Sequence, residues 1–259
     1  MKIPIYQIDA FTSKVFSGNP AAVCPLDEWL EDSILQSIAL ENNLSETAFF
    51  IPESEGYHLR WFTPVAEVDL CGHATLATAY VIFNDINTRI EKVSFQTRSG
   101  LLIVTSKANL LQLDFPAQPP EPCEADQKLL QALGGNPLHV LQNDDYFVTY
   151  ETEAEIRNLK PNMQLLNTVD SRGVIVTAKG DQADFVSRFF APRYGIPEDP
   201  VTGSAHCALI PYWSDKLGKT KLHAYQLSAR GGELFCEHNG DRVIIAGCCV
   251  KYMEGFITI

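Results

Sequence analysis

This sequence is short of positive charge: 20 Lys and Arg stand against 32 Asp and Glu, a formal net charge of −12. Such a balance argues against nucleic acid or an anionic membrane surface as a partner. No apolar run approaches the ~20 residues that span a bilayer. The opening Met-Lys-Ile-Pro-Ile-Tyr lacks the apolar core of a signal peptide. Cys-x-x-Cys spacing is also missing, and the cysteines number seven, an odd count. Reduced thiols in a cytoplasmic protein are therefore expected, rather than a disulfide framework. His206-Cys207 has no further ligand spacing around it, so no metal site is expected. What remains, 46% hydrophobic and 20% charged residues, is the composition of a globular protein.

The chain repeats itself. Arg60-Trp61-Phe62-Thr63-Pro64 returns as Arg188-Phe189-Phe190-Ala191-Pro192, an offset of 128 residues. Cys71-Gly72-His73-Ala74-Thr75 is echoed by Thr202-Gly203-Ser204-Ala205-His206 at 131, and Ser99-Gly100-Leu101-Leu102 by Gly231-Gly232-Glu233-Leu234 at 132. Three matches in one order and at nearly one spacing predict two similar halves, each with a Gly-centred turn opening a helix. The Pro-rich stretch 117–124 marks the boundary. The halves are residues 1–115 plus about 248–259, and 116–247.

Alternation predicts a strand over 3–11 and another through Ala22-Val23-Cys24, after the turn Gly18-Asn19-Pro20. Leu30, Ile34, Leu35 and Ile38 give one face of a helix within 27–42. From Gly72 the chain carries no charge until Asp85. A helix that is apolar on every side must be enclosed on every side, here by strands near 57–63, 92–97, 101–106 and 109–115. In the second half the pattern predicts a strand over 139–150, a helix over 152–166, and strands over 173–178 and 184–190. A second enclosed helix then follows Gly203, kinked by Pro211. Asn239-Gly240 reads as a hairpin, and a last strand near 256–259 can join either half.

Both helix starts present unpaired backbone N–H groups and positive dipole ends, which attract anions. Residues 69–80 and 199–210 contain no Lys or Arg, so the reading assigns anion binding there to backbone donors, with Gly72 and Gly203 allowing close approach. The two halves differ where directional chemistry needs them to. Cys71 is matched by Thr202, and Glu46 falls opposite Ser171-Arg172, where no carboxylate stands. Glu46, beside apolar neighbours, is suited to taking and returning a proton, or is simply a cap or turn residue. His73 at a helix start is expected neutral, as hydrogen-bond partner or proton shuttle, or as a buried structural histidine. Asp199 and Ser204 flank the second turn, Asp199 as a helix cap or as an orienting group for His73.

Taken together, Asp9-Ala10-Phe11-Thr12, Gly18-Asn19-Pro20-Ala21-Ala22-Val23, Ser45-Glu46-Thr47, Cys71-Gly72-His73-Ala74-Thr75 and Glu198-Asp199-Pro200-Val201-Thr202-Gly203-Ser204-Ala205 resemble the phenazine-biosynthesis isomerase (PhzF-like) family, the animal branch in particular. The resemblance implies an α+β, diaminopimelate-epimerase-like fold: two pseudo-symmetric, barrel-like antiparallel β halves, each wrapped around a central helix, with the active site in the cleft between. It also implies no cofactor, no metal, a homodimer, and isomerisation of a small carboxylated metabolite. Glu46 becomes the acid/base, with His73 and Asp199 assisting. Asn19, Cys71, Gly72, Thr202, Gly203 and Ser204 line the substrate. The related epimerases and proline racemases use two cysteines, one at each helix start; here Thr202 replaces the second. Two further readings stay open: a Cys71-dependent racemase or dehydratase of an amino or imino acid, and a catalytically silent binding protein.

Overall fold

A computed structural model describes residues 1–259. The alternating start of the chain forms strand β1 (Lys2–Ala10), with Ile3, Ile5 and Ile8 turned inward. It pairs antiparallel with β2 (Asn19–Pro25). Gly18 makes the approach to β2 possible: at φ +66°, a Cβ there would stand 2.1 Å from the Ala10 carbonyl oxygen. Helix α1 (Asp32–Asn42) buries Leu35, Ile38 and Ala39. It starts later than its spacing suggested, because Glu31 is extended, and Asn43 closes it in the left-handed conformation. Strands β3 (Glu46–Pro52), β4 (Tyr57–Phe62) and β5 (Glu67–Val68) lead to α2 (Gly72–Val81), which runs on into a π-helical turn at Ile82–Ile86. Then come β6 (Lys92–Thr97), β7 (Gly100–Lys107) and β8 (Leu110–Pro116).

The second part holds β9 (Glu121–Pro122), α3 (Gln127–Leu133), β10 (His139–Gln142) and β11 (Tyr146–Thr149). The single strand expected over 139–150 is thus a hairpin. The turn is held by Asn143, whose side-chain oxygen accepts from the Asp145 N–H at 3.0 Å. The helix expected over 152–166 is two: α4 (Glu153–Asn158), with a Thr152/Glu155 capping box, and α5 (Met163–Leu166), capped by Asn162. Pro161 between them cannot donate to a continuing helix. Next are β12 (Val174–Lys179), β13 (Phe185–Ala191), β14 (Ile196–Asp199), α6 (Gly203–Leu217), β15 (Lys221–Gln226), β16 (Gly232–Asn239), β17 (Arg242–Gly247) and β18 (Cys249–Thr258). Pro211 does not end α6. The Cys207 carbonyl that it leaves without a helical donor accepts the Gln118 N–H at 2.9 Å.

Two compact units result, Met1–Asp114 with Ala246–Ile259, and Phe115–Ile245. Residues 115 and 246–247 lie on the other side of the boundary from where the sequence suggested. β18 is longer than expected and pairs along β1, from Lys2 opposite Thr258 to Ala10 opposite Cys249.

Each unit repeats one strand plan. In the first, β2–β3 is parallel, β3–β4 antiparallel, β4–β6 parallel and β6–β7 antiparallel. In the second, β11–β12, β12–β13, β13–β15 and β15–β16 follow the same order of directions. The repeated arginines mark equivalent points. Arg60 forks onto Glu67 at 2.7 and 2.8 Å, and Arg188 onto Glu198 at 2.7 and 3.0 Å. Each guanidinium also covers a phenylalanine ring, Phe62 at 5.1 Å and Phe190 at 4.9 Å. Strands enclose both central helices. α2 packs against β1, β2, β3, β7 and β18, and Ala74, Leu76, Ala77, Ala79 and Val81 are all fully buried. Around α6, Ala205, Ala208, Leu209 and Ile210 are equally buried. No helix is long and apolar enough to cross a membrane.

Candidate active site

In the first unit, the turn ahead of β3 delivers Glu46 and the turn ahead of α2 delivers Cys71 and His73. Glu46 begins β3, opposite Ala21 of β2, and its side chain is 12% exposed. Its Oε2 lies 3.1 Å from Nε2 of His73, the second residue of α2. The contact is close but poorly aligned, so neither atom has a well-formed hydrogen bond. Across the ring, Nδ1 of His73 meets the Asn19 side-chain nitrogen at 3.2 Å and Cys71 Sγ at 3.5 Å. Ser45 Oγ donates to Asn19 Oδ1 at 3.4 Å. Asn19, expected to touch substrate, is itself fully buried against the histidine. The N-cap position of α2 is Cys71, and no side chain caps the helix.

Burial disfavours charge on His73, yet the Cys71 sulfur and the Glu46 carboxylate outweigh it and hold the imidazole pKa well above its ordinary value. The neutral histidine expected from the helix dipole is corrected accordingly. A dipole end contributes ~0.3–1 kcal/mol in exposed settings, and here an acidic side chain stands in contact. Burial is also the main cause that pushes the Cys71 thiol up to about 11, with Glu46 adding to it. The two shifts are linked: negative charge on Cys71 and Glu46 holds the imidazolium, while burial opposes the Cys71 thiolate that supplies part of that charge.

Glu46, Cys71 and His73 offer three ligand atoms within 4.8 Å of one another. However, Sγ approaches Nδ1 while Oε2 approaches Nε2. An ion seated on either ring nitrogen would leave one acid at the far edge. The arrangement suits moving a proton across the imidazole better than enclosing a cation.

In the second unit, Thr202 stands at the N-cap of α6 and again no side chain caps the helix. Its hydroxyl donates to Asp199 Oδ2 at 2.6 Å. Gln226, 1% exposed, clamps this turn. Its Oε1 accepts the Thr202 N–H at 2.9 Å, and its Nε2 donates to the Asp199 carbonyl at 2.9 Å and to Thr202 Oγ1 at 3.1 Å. Gly203 and Ser204 follow as the first two helical residues. His206 sits one turn in, Nδ1 2.8 Å from the Thr202 carbonyl oxygen, and burial lowers its pKa to about 4. The expectation that no side-chain cation serves this turn is corrected. Arg172 reaches it from the segment before β12, Nη1 donating to Ser204 Oγ at 3.4 Å.

The structure thus gathers Asn19, Glu46, Cys71, Gly72 and His73 at the head of α2, and Asp199, Thr202, Gly203 and Ser204 at the head of α6. Gln226 and Asp145, the ion-pair partner of Arg172, were not singled out from the sequence. A lone glutamine in a strand and an aspartate in a turn carry no motif.

Residues 8–255 match the family described as phenazine biosynthesis-like protein. An uncharacterized isomerase of Pseudomonas aeruginosa is 52% identical over 259 residues, covering 100% of both chains. The human phenazine biosynthesis-like domain-containing protein is 41% identical, also over 100% of both. Animal and bacterial members of the family are thus both full-length relatives of this chain. The crystal structure of a PhzF-family phenazine biosynthesis protein from Enterococcus faecalis is 47% identical, with TM-score 0.98 and full coverage of both chains. A probable proline racemase from Agrobacterium radiobacter, at 10% identity, TM-score 0.65 and coverage of 99% and 93%, shares the fold alone. An α+β fold of the epimerase and racemase type, full-length similarity to bacterial isomerases and the family match lead to one conclusion: this chain belongs to the PhzC-PhzF phenazine biosynthesis-like family.

Proposed function

We propose that the chain is an isomerase that moves a proton on a small carboxylated metabolite, with Glu46 as the acid/base and His73 as its partner. The observation that carries this reading is the contact of Glu46 Oε2 with His73 Nε2 at 3.1 Å, beside the uncapped start of a fully enclosed helix. Glu46 takes a proton from a substrate carbon. The electron pair left behind spreads into the substrate's conjugated or carboxylate system, where the positive end of the α2 dipole meets the developing charge. The protonated His73 holds the emptied carboxylate in place before this step. Glu46 then returns the proton to another carbon on the same face, so substrate and product have equal mass. The relatives named isomerases support the reaction class. The Cys71-dependent alternative needs a thiolate, which burial opposes.

The test is solvent deuterium uptake into candidate carboxylates, followed by NMR in D₂O. Glu46→Gln is expected to slow uptake by about 10²–10⁴-fold, the usual range for losing a positioned general acid/base. Uptake that continues unchanged in Glu46→Gln removes Glu46 from the mechanism.

A further inference from the structure

Arg172 occupies nearly the place in the second unit that Glu46 holds in the first. Thr47 pairs with Phe62 as Val174 pairs with Phe190, so Glu46 stands one residue, and Arg172 two, ahead of the matching position. Each reaches the second residue of its unit's central helix, His73 or Ser204. Adjacent register positions thus hold an acid in one copy and a cation in the other.

That cation is fixed from behind. Asp145, in the turn between β10 and β11, pairs with Nη2 of Arg172, and its side chain is only 2% exposed. Its other oxygen is buried with no hydrogen-bond partner. Burial raises the Asp145 pKa even though Arg172 works against it. Withdrawing a carboxylate from water costs more than an ordinary surface pair returns. What the pair secures is orientation. Arg172 remains 42% exposed and lines a cavity of about 400 Å³ together with Arg193, Asp144 and Asp170. Arg193 is steadied in turn by Asp170 and the Val169 carbonyl. The cavity therefore presents two guanidinium groups, of which Arg172 is oriented by a buried carboxylate and Arg193 by an exposed one.

We propose that this cavity of the C-terminal unit binds a small carboxylate, with Arg172 as its anchor and Arg193 as the second cation. The probe is sodium malonate, titrated calorimetrically at ionic strength held constant with chloride. Saturable binding is expected in the wild type, weakened about tenfold or more by Arg172→Gln. Arg172→Lys falls between, since an ammonium cannot present the planar fork. Because Arg172→Gln leaves Asp145 buried and unpaired, the double variant Arg172→Gln/Asp145→Asn is measured alongside and is expected to show the same loss. An affinity in the double variant within about twofold of wild type, or no saturable heat from the wild type, overturns the proposal. Binding is read without turnover, so this result and the deuterium result stand or fall separately.

Discussion

His73 and His206 lie in the first turns of the two central helices, both buried, and their surroundings drive them in opposite directions. His206 faces a backbone carbonyl and the ring of Phe185 at 5.9 Å, so burial alone decides and its pKa falls to about 4. His73 is equally enclosed, but Cys71 and Glu46 flank it and its pKa rises. The same helix start in the same strand plan thus holds a histidine driven towards the neutral form in one copy and one driven towards the charged form in the other, while the arginine forks and the enclosed helices are common to both.

The largest further effect tests whether the common parts are equivalent. Arg60→Met leaves Glu67 without its fork, and Arg188→Met does the same to Glu198. Breaking a buried pair costs about 3–5 kcal/mol, an upper bound here because both pairs are partly exposed and Glu67 keeps Arg98 at 2.6 Å. Both variants are expected to lose stability by urea unfolding, Arg60→Met less than Arg188→Met, and the absence of a loss at either site breaks the equivalence.

Next comes pH. Between about 4 and 6.5, unfolded chains protonate His206 and folded ones do not, so stability from this group is present above pH 6.5 and is lost as pH falls towards 4. The loss amounts to about 3 kcal/mol, at about 1.4 kcal/mol per unit. His73 has the opposite sign: its contribution is full below about pH 6.5 and disappears as pH rises through its raised folded pKa. Urea unfolding of His206→Gln between pH 4 and 7 should show a flatter slope than the wild type. An unchanged slope would show that His206 is not the group titrating.

The smallest effect belongs to the helix caps. Cys71→Thr gives the first copy the residue of the second. Deuterium uptake is expected to change by less than about tenfold, because the thiol is not the base. A loss as deep as that of Glu46→Gln would favour the thiol-dependent reading.

Much of the fold was legible. The charge-free run from Gly72 could only be an enclosed helix, and the repeated Arg-aromatic-Phe run marked two similar halves, whereas the carboxylates that the arginines fork onto were not foreseen. Local chemistry that competes with periodicity was harder to see. Pro161 splits a helical pattern, and Asn143 turns one apparent strand into two. At the candidate site, motif residues were readable because they are contiguous. The Arg172–Ser204 contact, the Asp145 pair and the Gln226 clamp join segments 24 to 32 residues apart, and nothing in either segment announces the other. The charge on His73 was misjudged for a related reason: the helix start is visible in sequence, whereas a carboxylate 27 residues earlier is not visibly adjacent.

The central claim is that Glu46 and His73 act as one proton-handling pair. ¹⁵N NMR titration of the His73 ring, in the wild type and in Glu46→Gln, addresses it without any substrate. The account predicts a wild-type midpoint well above the ordinary histidine value and a lower midpoint in the variant. Equal midpoints in the two proteins would contradict it.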